Sequence, residues 1–72
     1  MTNTFTIDAS GLFCPQPIIL LARRITEIAI GQTLTLFSDD PAAAFDVPAW
    51  CRMTKNEFVS AENSLYVIRR QA

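Results

Sequence analysis

Histidine is missing from this 72-residue chain, and cysteine occurs only twice, as Cys14 and Cys51. Without histidine the usual general base is gone, which excludes Ser-His and Cys-His hydrolysis. Two cysteines so far apart fall short of a structural zinc pattern and make no Cys-x-x-Cys pair, so no metal site is expected. A basic excess is lacking too: six Lys and Arg stand against seven Asp and Glu, for a formal net charge of −1. Proteins that live on phosphate contacts carry more positive charge, so direct nucleic-acid binding is not expected. Long apolar runs are absent, because Arg23, Arg24 and Glu27 interrupt the most apolar stretch, 18–30, and no membrane span is expected. Residues 1–13 are polar and broken by Asp8 and Gly11, unlike a signal peptide. The expectation is a soluble cytoplasmic protein with reduced thiols and no cofactor.

What is present suits one small domain over residues 1–72, since 50% of the residues are hydrophobic and 18% charged. Thr4 to Asp8 alternates apolar and polar residues, as a half-buried strand does, and Gly11 marks the loop after it. Over 15–29 the period becomes helical, with Ile18, Leu21, Ala22, Ile25, Ile28 and Ala29 on one stripe and Gly31 as the stop. A second strand is predicted over 32–38, with Leu34 and Leu36 on one face. Asp39-Asp40-Pro41 breaks it. A short second helix lies within 42–53, and Pro48 places its start near Asp46, as cap, with the proline in the first turn. Phe45, Trp50 and Met53 put the surroundings of Cys51 partly in the core, which makes Cys51 structural. Two strands, 57–61 and 65–70, join at Glu62-Asn63-Ser64 as a tight hairpin. The order βαβαββ predicts an α+β fold: a two-layer sandwich with a mixed sheet and both helices on one face.

The densest chemical signal is Cys14-Pro15-Gln16-Pro17. Two prolines would wreck a helix interior, but the first turn tolerates them because its N–H groups lack intrahelical partners. Cys14 is therefore expected at or just before the cap of the first helix. There the helix dipole favours a thiolate, and the pKa falls below the free value of about 8.5. The same field favours a persulfide anion. From the residues alone two readings of Cys14 stand, a small buried filler and an exposed nucleophile. Asp8, Asp39 and Asp40 are either solvated strand-end carboxylates or charges that act in docking. Arg23 and Arg24 form a solvated face or a basic patch.

The run Ile7-Asp8-Ala9-Ser10-Gly11-Leu12-Phe13-Cys14-Pro15-Gln16-Pro17 resembles the opening signature of the TusA-like (SirA-like) sulfur-carrier family, Gly-Leu-x-Cys-Pro-x-Pro. The resemblance continues through Gly31, Asp39-Asp40-Pro41 and Asp46-Val47-Pro48-Ala49-Trp50-Cys51. It implies a four-stranded mixed sheet with two helices on one face, and a persulfide relay on Cys14. Leu12, Phe13, Pro15, Gln16 and Pro17 would form the binding surface around it. The implied partners are a cysteine desulfurase or rhodanese-type sulfur donor and a downstream relay acceptor protein. Family roles span tRNA wobble-uridine thiolation, molybdenum cofactor assembly and sulfur oxidation. The chain departs from the family pattern at Gln16, where an acidic residue is common, and at Asn56, near which many members carry histidine. Two other classes are a thiol–disulfide redox protein using Cys14 and Cys51, and a non-catalytic regulatory interaction module.

Overall fold

A computed structural model describes residues 5–13 and 15–71. Strand β1 (Phe5–Asp8) leads into helix α1 (Gln16–Arg24), which ends in a 3-10 turn (Ile25–Glu27). Strand β2 (Thr33–Phe37), helix α2 (Ala43–Thr54) and the hairpin of β3 (Glu57–Glu62) with β4 (Leu65–Arg69) follow. The sheet order is β1-β2-β4-β3, with β1 and β2 parallel and the other two pairs antiparallel. This is the expected mixed four-stranded sheet in βαβαββ order.

The period of two along each strand sets the layers. Register places Phe5, Leu34, Ile68 and Phe58 in one row, and Ile7, Leu36, Tyr66 and Ala61 in another. Ile7, Leu34, Leu36, Tyr66 and Ile68 from these rows are buried against Leu21, Ile25, Ile28, Val47 and Cys51 from the helical side. On the other sheet face Thr35, Phe37 and Val67 are half-buried and Leu65 is exposed. Edge strand β3 is exposed throughout, and a register shift between Phe58 and Ser60 leaves Val59 as a bulge. Such a bulge blunts an edge against pairing with another chain. Asn63 and Ser64, with φ of +52° and +65°, turn the hairpin in the left-handed region that two-residue loops require.

Two expectations need correction. The first helix stops at Arg24, not near Ala29. Thr26 Oγ1 donates back to the Arg23 carbonyl at 3.0 Å, a local bond that competes with the helix ladder. Arg70 Nη1, far along the chain, then binds the Ile28 carbonyl at 2.6 Å and the Thr26 carbonyl at 3.4 Å. The buried stripe is Pro17, Leu21, Ile25 and Ile28, while Ala22 and Ala29 are exposed. Helix α2 begins at Ala43, not near Asp46, and holds Pro48 in its interior. Its start is set by Asp40, whose Oδ1 accepts from the Ala42 amide at 3.1 Å and whose carbonyl accepts from Ala43 at 3.0 Å. Ala42 is the N-cap and makes no side-chain cap bond, so the turn at Asp40, not a cap at Asp46, leads the chain into α2, and Pro48 leaves one ladder bond unmade.

Candidate functional site

The loop between β1 and α1 is built from local bonds and one long-range tie. Ala9 donates to the Phe37 carbonyl at 2.8 Å, which extends the β1–β2 pairing one residue beyond the strands. Asp8 Oδ1 accepts from the Ser10 amide at 3.0 Å, and this bond holds the Asp8 carboxyl below its ordinary value of 3.8. Leu12 donates to the Ala9 carbonyl at 3.1 Å. Gly11 takes φ +78°, a conformation costly for other residues, and donates to Asp39 Oδ1 at 3.1 Å. The loop is thereby pinned to the end of β2.

Helix α1 starts directly after it, with Pro15 as N-cap and Pro17 in the first turn. Gln16 donates to the Phe13 carbonyl at 2.9 Å and Ile19 to the Pro15 carbonyl at 3.0 Å. Neither proline nitrogen has a proton to offer an anion. No acidic side chain occupies this first turn, so nothing there opposes the positive end of the dipole.

Cys14, the candidate nucleophile, lies outside the described residues. Its neighbours form a surface: Phe13 is 67% exposed, and Pro15 and Gln16 are exposed beside it. Leu12 is half-buried and packs against the core, and it lines a cleft of about 170 Å³ with Gln16, Ile19 and Leu20. Pro17 faces inward and is fully buried. Its role is thus to seat the helix, whereas Phe13, Pro15 and Gln16 face outward.

Cys51 is a free, buried thiol whose ionisation burial pushes up to about 11. It stays a thiol at neutral pH and packs as a small hydrophobe, as expected. The expectation for its neighbours holds only in part. Trp50 is half-buried against the core, but Phe45 and Met53 are 80% and 81% exposed. Helix α2 buries the small residues Ala43, Val47 and Cys51 at four-residue spacing, which turns Phe45, Ala49 and Met53 to another side. Sequence reading missed the result, a groove of about 270 Å³ between α1 and α2 lined by Pro15, Ile18, Asp46, Ala49, Trp50 and Met53. The signal was the same four-residue spacing, Phe45 to Ala49 to Met53.

Over residues 5–70 of its 72, the chain matches the model of the family described as Sulfurtransferase TusA. The chain belongs to the TusA family. Its activity class is therefore sulfur transfer, exercised in relay with partner proteins. In this TusA-family chain the described residues of the signature run lie in the loop pinned by Asp39 (Gly11 to Phe13) and in the first turn of α1 (Pro15 to Pro17). Among the described residues no group of three or more His, Cys, Asp or Glu could hold a metal ion. No described helix is long and apolar enough to cross a membrane.

Proposed function

We propose that the protein carries sulfur as a persulfide on Cys14, taking it from a donor protein and passing it to an acceptor thiol. The family match along nearly the whole chain carries this reading, supported by the exposure of Phe13 and Pro15, the sequence neighbours of Cys14. In the loading step the Cys14 thiolate attacks the outer sulfur of a donor persulfide, R–S–SH. A sulfur–sulfur bond forms to Cys14 as the donor's breaks, and the donor leaves as RS⁻. Cys14–S–SH results, with no net oxidation. In the unloading step an acceptor thiolate attacks that outer sulfur, and Cys14 leaves as thiolate. Both steps follow thiol–disulfide exchange rules, in which a low pKa helps Cys14 as leaving group and keeps it ionised as attacker. No cofactor is needed.

The donor in this reading is a cysteine desulfurase or rhodanese-type protein. The acceptor belongs to tRNA thiolation, molybdenum cofactor assembly or sulfur oxidation. A redox pair with Cys51 is disfavoured, since that thiol is buried and its ionisation suppressed. The test is a reconstituted relay with a desulfurase, cysteine and radiolabelled sulfur. Wild-type protein is expected to acquire label that a thiol acceptor removes, and Cys14→Ser to acquire none. Full transfer by Cys14→Ser would overturn the reading.

A further inference from the structure

The charged side chains of this protein are sorted by end. Strand register puts Asp8, Phe37, Leu65 and Glu62 in one terminal row of the sheet. The same end holds Asp39, bonded to Gly11 of the Cys14 loop, then Asp40, and Asp46 in the first turn of α2. No lysine or arginine joins them. All six basic residues sit at the opposite end: Arg23 and Arg24 in the last turn of α1, Arg52 and Lys55 where α2 finishes, Arg69 and Arg70 where β4 finishes. Arg70 bonds to the Ile28 carbonyl, and Arg69 pairs with Glu57, so these groups share one region. The two remaining acids, Glu27 and Glu57, are each paired with an arginine there.

This sorting acts where Cys14 meets other proteins. Helix α1 spans ~13 Å at 1.5 Å per residue, more than the Debye length of about 8 Å in physiological salt. A partner approaching the Cys14 end therefore meets the carboxylates first, and the groove comes near a cation only at its Met53 end, beside Arg52. The groove beside Pro15 adds an apolar contact, with the half-buried Asp46 as its one charged wall.

We propose that the α1–α2 groove is the docking site for a basic partner segment that inserts an apolar side chain between Ile18, Ala49, Trp50 and Met53 and sets a lysine or arginine against Asp46. The proposal rests on the reading of Cys14 as a carrier that must meet a partner. Charge complementarity selects the occupant, since Asp46 is the one charged wall of the groove and the exposed Asp8, Asp39 and Glu62 stand at the same end of the fold. The apolar walls supply the anchor and the carboxylates supply orientation and speed of encounter.

Binding is read by NMR in the full chain carrying Cys14→Ser, so the outcome does not depend on whether Cys14 transfers sulfur. The protein is titrated with three peptides that share a central leucine and carry lysine, glutamate or serine flanks. The lysine peptide is expected to shift Ile18, Asp46, Ala49, the Trp50 indole and the Met53 methyl. Its affinity should fall roughly tenfold between 50 and 300 mM salt. Asp46→Asn and Glu62→Gln should each weaken it about threefold, while Arg69→Gln, on the far end of the sheet, leaves it unchanged. Equal response to the glutamate peptide, shifts confined to the open sheet face around Thr35 and Val67, or no response to the lysine peptide at millimolar concentration would overturn the proposal.

Discussion

Asp39 Oδ1 accepts a hydrogen bond from the Gly11 amide at 3.1 Å, which ties the end of β2 to the loop that carries Cys14. The bond crosses between elements, so it fixes where the loop stands over the sheet. Asp39→Ala should cost about 1 kcal/mol and speed hydrogen exchange at the Gly11 amide. Asp39→Asn keeps an oxygen acceptor and should retain most of that protection. Equal exchange at Gly11 in both variants would show that the bond does not hold the loop.

Phe13 exposes 67% of its surface beside Cys14, which no packing need explains. Phe13→Ala should change stability by less than about 0.5 kcal/mol. Sulfur transfer from a protein donor should slow about tenfold, as for loss of an interface anchor, while loading from a small persulfide is unchanged. Equal slowing with both donors would instead place Phe13 in the chemistry.

Much of this arrangement is legible in the sequence because it follows from period and punctuation. Leu34 and Leu36 alternate with polar residues and are buried in β2, and Gly11 takes the left-handed conformation its loop position requires. The errors arise where distant or small residues decide. The end of α1 follows the Thr26 hydroxyl bonding back to Arg23 and the bonds of Arg70 to the carbonyls beyond it, and the second of these nothing local to α1 announces. The start of α2 follows the side-chain turn that Asp40 makes with the Ala42 amide, although Asp39-Asp40-Pro41 reads first as a breaker. Phe45 and Met53 face outward because close approach of α2 to the core favours Ala43, Val47 and Cys51, against the rank order of hydrophobicity. The groove followed from that inversion.

The hairpin offers a stability test remote from Cys14 along the chain. Ser64 holds φ +65°, where a side chain is strained. Ser64→Gly should stabilise the protein by about 0.5–1 kcal/mol in urea unfolding, with sulfur transfer unaltered. A loss of stability would mean that the Ser64 side chain contributes more than its backbone costs.

Cys51 gives a pH dependence with a definite sign. Burial raises its thiol from an ordinary 9.0 to about 11, so ionisation is easier in the unfolded chain. Stability from this group is intact below about 9 and is lost as pH rises toward 11. Urea midpoints at pH 8 and pH 10.5 should fall less in Cys51→Ala than in wild type, even though that variant starts lower from its cavity. Parallel falls in both would contradict the burial argument.

The central claim is that Cys14 carries sulfane sulfur. Intact-protein mass spectrometry after incubation with a desulfurase and cysteine tests it most directly. The expected result is a gain of about 32 Da, one sulfur atom, on the peptide containing Cys14, reversed by a thiol and absent in Cys14→Ser. A loss of about 2 Da joining Cys14 to Cys51, or no change at Cys14 while transfer proceeds, would contradict it.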